Sequence, residues 1–413
     1  MGGTERNLEV IAVERDDISV DQLINDINTI LDTSPLDTQL PENAPNEESA
    51  TVQTSVVVAD PPKKAAPRLT KALKGIGATM LILVETVLLL VVTLYGVMYI
   101  LAKGPSPTAR DLFVRSVKET SAGGFLAHLY FSDEEIAQII GSGDVPEYVE
   151  TDTSLIEIPK PNEDTSPAGP VPDAWGLVDE DGDGIILEEV KGEGYSGYMM
   201  VVLDPSRVIM GSVPENYGAR GYSVAKMVER FGAVAGINAG GFYDPEGGGN
   251  GSIPDNMVVY NGKIYYAEKG NRFGFCGFDD QHIMHVGNLT TTDIKNKNIQ
   301  YGVSFGPVLI ANGEECVPKS LGGGVNPRTA IGQRSDGAVL LLVIDGRQVS
   351  SLGATFMDLA EVFLSYGAVN AYNLDGGSSS MMWYEGDYVN NCASMIGIRP
   401  VPTTFLVMPE GGN

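Results

Sequence analysis

Histidine, tryptophan and cysteine are scarce in this 413-residue chain, at 3, 2 and 3 copies. So few histidines make a structural His-rich metal site improbable. The cysteines, Cys276, Cys316 and Cys392, fall late in the sequence. They allow at most one internal disulfide and leave one thiol over, so the fold cannot depend on a disulfide framework. Their spacing matches no zinc signature. Basic residues are also short, with 27 Lys and Arg against 54 Asp and Glu, a net charge of -27. Such acidity repels phosphate backbones and argues against nucleic acid as a partner.

One long apolar run is present. From Ala78 to Ala102 almost every residue is apolar, centred on Leu88-Leu89-Leu90-Val91-Val92. As a helix it suffices to cross roughly 30 Å of hydrocarbon. It is too long and too far from the N-terminus for a secretory signal peptide, and soluble helices seldom stay apolar all round for this length. Glu85 is the one ionisable residue inside, at a cost on the order of 2–3 kcal/mol if it cannot reach the interface. Lys63, Lys64, Arg68, Lys71 and Lys74 flank the run on its N-terminal side, against Lys103, Arg110, Arg115 and Lys118 on the other. The margin is thin but favours a cytoplasmic N-terminus. The expected location is therefore the cell membrane, single-pass, with the C-terminal domain extracytoplasmic.

Texture divides the chain further. Residues 1–75 read as a disordered acidic cytoplasmic tail. Within it Leu23, Ile24, Ile27, Ile30 and Leu31 fall at helical spacing, so residues 21–31 are a candidate segment for folding onto a cytoplasmic partner. Residues 76–102 form the transmembrane helix. Residues 103–142 read as a helical juxtamembrane stalk, with Ser132-Asp133-Glu134-Glu135 resembling a helix start. Residues 143–172 are a Pro-rich extended linker. Residues 173–410 form the main domain, where short β-rich runs (Tyr198–Leu203, Met257–Tyr260, Ile264–Ala267, Val303–Ile310) alternate with Gly, Asn and Asp. The fold class is α+β, with a mixed sheet.

The chemistry concentrates between Asn326 and Trp383. Ala338–Ile344 is a continuous apolar run, the pattern of a buried strand, ending at Asp345-Gly346-Arg347. Thr355 stands three residues before Asp358, as in a capping box. The helix that follows carries Leu359, Val362 and Phe363 on one face and stops at Gly367. Val369–Leu374 is a second strand, ending at Asp375-Gly376-Gly377-Ser378-Ser379-Ser380. Strand, helix and strand form a βαβ unit with parallel strands. Asp345 and Asp375 then lie at the carboxyl ends of these strands, where α/β sheets bind ligands. Two further constellations are Asn326-Pro327-Arg328-Thr329, whose arginine can clamp a phosphate, and Gly236-Ile237-Asn238-Ala239-Gly240-Gly241-Phe242-Tyr243, where a strand delivers Asn238 into a glycine turn.

The ordered runs GINAGGFY, VVYNGKI, SFGPVLIANG, NPRTAIGQ, DGR and GATFMDLAEVFLSYGAVNAYNLDGGSSS together resemble the phosphodiester glycosidase family over roughly residues 190–410. The resemblance implies hydrolysis of a sugar-1-phosphodiester at the anomeric carbon. A phosphate leaves easily, so the site needs chiefly a cation for it and a carboxylate for the oxocarbenium-like sugar or the attacking water. Arg328 is the expected phosphate ligand. Asp375 is the first choice for nucleophile or base, with Asp345 as its partner. Asn238, Gly240, Thr329, Arg347, Gly376, Gly377, Ser378 and Ser379 would shape the pocket. The implied setting is surface glycan or exopolysaccharide metabolism in the cell envelope. Two alternatives stay open: a non-catalytic phosphoglycan-binding module, and a glycosyl or phosphoglycosyl transferase.

No cofactor is expected to be required, and no metal ligands are assigned. A divalent cation remains an option. Asp179, Asp181 and Asp183 with Gly184 resemble the first half of an EF-hand loop, but Val190 stands where a bidentate Glu belongs, so an acidic turn is favoured. His282 and His285 lie three apart in an expected strand and would face opposite sides.

Overall fold

The computed structural model describes residues 67–120, 123–141, 150–159, 171–244, 249–266, 272–317, 323–394 and 397–411. The expected tail segment 1–66, including residues 21–31, lies outside them, as does most of the expected linker.

The apolar run after Ala338 becomes strand β13 (Val339–Ile344), buried along its whole length. Its side chains alternate. Val339, Leu341 and Val343 enter one core, and Leu340, Leu342 and Ile344 enter another. A strand covered on both faces needs no polar positions, which is why the sequence is continuously apolar. Each such leucine contributes about 1.5–3 kcal/mol by burial.

β13 belongs to a seven-stranded sheet. Its order is β1 (Ile185–Gly192), β2 (Tyr195–Val202), β13, β12 (Arg328–Arg334), β14 (Ala368–Asn373), β10 (Val308–Ala311) and β11 (Glu314–Glu315). A five-stranded sheet runs β16 (Asp387–Tyr388), β15 (Met382–Tyr384), β4 (Ala235–Asn238), β17 (Thr403–Val407), β3 (Val208–Ser212). A third runs β6 (Lys263–Tyr266), β5 (Val258–Tyr260), β9 (Tyr301–Ser304), β7 (Phe273–Phe278), β8 (Met284–Leu289). The main core joins all three sheets, for example Leu341, Ile237 and Val303.

Seven helices complete the described fold. These are α1 (Pro67–Lys103), α2 (Pro107–Lys118), α3 (Phe125–His128), α4 (Asp133–Gly141), α5 (Val224–Phe231), α6 (Thr291–Asn296) and α7 (Phe356–Ser365). The segment Ala78–Lys103 of α1 is long and apolar enough to cross a membrane. Thr355 caps α7 through the expected box with Asp358, and Ser132 and Glu135 exchange the same pair of bonds ahead of α4. The α7 residues Leu359, Ala360 and Phe363 cover the second face of the seven-stranded sheet.

Four expectations are corrected. Every strand ladder among the described residues is antiparallel, so the sheet is not mixed. The expected βαβ unit is split. β13 and β14 point the same way because both pair antiparallel to β12, which lies between them. Val303–Ile310 is two strands in different sheets, parted at Gly306-Pro307, where Gly306 sits at φ 114°. His282 lies in a turn at φ 62°, ahead of β8, and not in a strand. Part of the expected linker is also docked: Glu157 N–H donates to Ser335 O (2.8 Å), and the Thr151 hydroxyl donates to Val286 O (3.2 Å) and accepts from Val286 N–H (3.0 Å).

Candidate active site

Because β12 runs against β13 and β14, its first residue meets their last ones. Arg328 pairs with Ile344, and Ala330 with Asn373. Arg328, Asp345 and Asp375 therefore gather at one sheet edge.

The chain leaves β14 through a tightly held turn. Leu374 N–H donates to Thr329 O (2.8 Å), Asp375 N–H to Ala239 O (3.0 Å) and Gly377 N–H to Pro327 O (2.8 Å). A Cβ at Gly376 would stand 2.8 Å from Pro327 O, so only glycine lets the two segments approach this closely. Asn238, fully buried, locks the turn from behind. Its Nδ2 donates to Asp375 O (2.6 Å), and its Oδ1 accepts from Thr329 Oγ1 (2.8 Å) and Met381 N–H (3.0 Å). The sequence reading placed Asn238 and Thr329 against the substrate. With no exposed surface and their bonds turned inward, they brace the site from one layer behind. Gly240 is likewise internal, its N–H donating to Thr403 Oγ1 at 3.0 Å.

Asp375 is part-buried as a residue, and protein crowds its carboxyl. Burial pushes it up to about 7, with Asp244 and Asp255 adding to the rise, while a hydrogen bond with Ser379 and the charge of Arg399 hold it down. Arg399, only 4% exposed, donates to Ser378 Oγ (3.0 Å) and pairs with Asp244 (2.7 Å) over the ring of Phe242. Asp255 is tied to the same region, its N–H donating to Gly241 O at 2.9 Å. Sequence reasoning missed Arg399, Asp244 and Asp255. The position of Asp244 just after the GINAGGFY run was the one available signal.

Asp345, expected as the partner of Asp375, faces elsewhere. Its Oδ1 accepts from Asn390 Nδ2 and Asn391 N–H, both at 3.0 Å. Burial raises its carboxyl, and these bonds oppose the rise. The main charges acting on Asp375 are Arg399, Asp244 and Asp255.

Arg328 is buried over the Phe356 ring, 4.1 Å from its centroid, with Nε donating to Ala354 O (3.0 Å). Its Nη2 pairs with Glu119 Oε2 at 2.7 Å. Arg347, at φ 57°, donates from Nη2 to Thr120 Oγ1 (2.9 Å) and Asn326 Oδ1 (3.1 Å). Burial lowers both guanidiniums, and each side chain stays cationic at neutral pH. A Cβ at Gly377 would lie 3.3 Å from Arg347 Nη2, so this cation borders the turn after Asp375. All three cysteines are free thiols. The carboxylates of Asp179, Asp181 and Asp183 lie within 4.8 Å of one another and could hold a metal ion.

A carboxylate with a raised pKa, bordered by guanidiniums at the edge of a buried sheet, marks this edge as the candidate active site. The profile of the family described as phosphodiester glycosidase matches residues 231–408, and the chain carries a domain of that family. A Bacillus subtilis (strain 168) protein, the SPbeta prophage-derived uncharacterized protein YomE, is 31% identical over 200 residues, which are 46% of this chain and 30% of that protein. The chain thus spans under a third of that relative. Among solved structures, the zebrafish N-acetylglucosamine-1-phosphodiester alpha-N-acetylglucosaminidase catalytic domain, auto-inhibited by its pro-peptide, is 19% identical. It covers 55% of this chain and 82% of its own, with a TM-score of 0.45. A hypothetical protein from Synechocystis is 15% identical, covering 60% of this chain and 64% of its own, also with a TM-score of 0.45.

Proposed function

We propose that the C-terminal domain hydrolyses a sugar-1-phosphodiester at the anomeric carbon. The anomeric C–O bond breaks, the phosphate departs as a monoester, and water supplies the new oxygen. Asp375 acts as nucleophile or general base, and Arg328 with Arg347 receives the phosphate charge. The observation that carries this reading is the Asp375 carboxyl, raised to about 7 beside Arg399 and two residues before the glycine that Arg347 borders. Phe305 (42% exposed), whose ring borders Gly241, offers a face on which a sugar can stack.

The span Ala78–Lys103 would anchor this domain outside the cell, with residues 1–75 in the cytoplasm and 21–31 available to a partner there. Phosphate-linked surface glycan, as in exopolysaccharide metabolism, is the substrate that this placement favours. The test is product analysis of the detergent-solubilised full chain against a panel of sugar-1-phosphodiesters. Release of free sugar and phosphomonoester is expected from the parent and not from Asp375→Asn. Binding of a phosphoglycan without turnover would favour the binding-module reading, and transfer to an acceptor other than water would favour the transferase.

A further inference from the structure

Glu119 follows directly on α2, well outside the family-matched segment 231–408. Its carboxylate is nonetheless gripped by that segment. Oε1 accepts from Gly324 N–H (2.9 Å), and Oε2 accepts from Asn326 Nδ2 (3.0 Å) and Arg328 Nη2 (2.7 Å). The contacts continue on either side, with Val325 N–H donating to Ser116 Oγ (2.9 Å) and Arg347 Nη2 to Thr120 Oγ1 (2.9 Å). Gly324 makes the approach feasible, since a Cβ there would fall 2.3 Å from the Ser116 main chain.

Three donors of different origin, a backbone N–H, a side-chain amide and a guanidinium, converge on one anion. A second guanidinium, that of Arg347, stands beside them. Such a convergence suits the oxygens of a carboxylate or a phosphate, because both offer anionic acceptors to charge-assisted donors. The Glu119 side chain is 30% exposed and that of Arg328 6%, so the carboxylate sits on the solvent side of the cation, where an incoming anion would arrive. The donors belong to the catalytic domain, and the acceptor belongs to the helical segment next to the apolar helix. That segment is firmly built: Val114, Ala127, Phe131 and Ile136 pack with Ala102, and Tyr130 donates to Tyr95 O at 3.1 Å.

We infer that Gly324 N–H, Asn326 and Arg328, flanked by Arg347, form the subsite for the substrate's phosphate, and that Glu119 occupies it as an internal competitor. This rests on the hydrolase reading above. The juxtamembrane segment must move Glu119 aside for a phosphodiester to enter, so this segment controls access to the site.

The test uses the full chain in detergent, with inorganic phosphate as the binding probe and a methyl phosphodiester of an N-acetylglucosamine-1-phosphate as substrate. Glu119→Gln should bind phosphate about tenfold more tightly and lower KM by a similar factor, since it removes a competing charge-assisted contact. The double variant Ser116→Ala/Thr120→Ala loosens the segment while keeping Glu119, and should shift both readouts the same way. It carries the test if thermal melting shows that Glu119→Gln has lost its fold. Glu189→Gln, an exposed acid on β1, serves as the control and should match the parent. If neither variant changes phosphate affinity or KM while Arg328→Lys raises KM, the competitor role is wrong and the hydrolase reading stands. If no protein in the series binds phosphate or cleaves the diester, the hydrolase reading falls and takes this inference with it.

Discussion

Replacing Asp375 by Asn should abolish turnover and at the same time stabilise the domain, by an amount set by pH. Lifting the carboxyl from its ordinary value of about 3.9 to about 7 costs the folded state on the order of 4 kcal/mol once the group ionises. The folded state holds the proton more tightly than the unfolded chain between these two values, so the parent loses stability as pH rises from about 4 to about 7. Asn is nearly isosteric, can still accept from Ser379, and carries no charge. The advantage of Asp375→Asn should therefore grow by about 1.4 kcal/mol per pH unit, or about 3 kcal/mol between pH 5 and pH 7, and level off above. For a domain of this size that corresponds to a melting-temperature gap widening by about 6–12 °C. Thermal melts of parent and variant at pH 5, 6, 7 and 8 measure it directly. A gap that stays constant with pH would show that Asp375 titrates normally, and would remove the main support for its assigned role. A parallel check is the parent's rate, which should rise with pH through about 7 as the base ionises.

Three further outcomes follow from the same geometry. Arg399→Gln removes the cation that holds the Asp375 carboxyl down. The rising limb of the kcat–pH profile should move to higher pH, and an unmoved limb would mean that Arg399 does not act on Asp375. Gly353→Ala places a Cβ 2.4 Å from the Asn326 main chain at φ 121°. It should cost about 2 kcal/mol or more in a denaturant melt and weaken phosphate binding through Asn326. In sealed cytoplasmic-side-out vesicles, protease should digest residues 1–60 and spare 103–413. Digestion of the C-terminal domain there would reverse the orientation.

Local signals were legible: the unbroken apolar run of β13, the capping boxes at Thr355 and Ser132, the stop at Gly367 and the membrane-length segment of α1. Each is set by neighbours within a few residues, whose periodicity or hydrogen bonding is written directly in the order of side chains. The family-like runs belong with them, because Asp375, Gly376 and Gly377 lie next to one another in the sequence.

Pairings between distant segments were not legible. Insertion of β12 between β13 and β14 decided that the β–α–β unit is split and that Arg328 begins where Asp345 and Asp375 end. The same packing turned Asn238 and Thr329 inward and directed Asp345 to Asn390 and Asn391. It also brought Arg399 to Asp375 and Glu119 to Arg328, 209 residues away. A lone Glu at a helix end and a lone Arg before a proline look like solvated charges. Only burial, which removes their water and forces each to find a partner, gives them a role, and burial is a property of the assembled sheets.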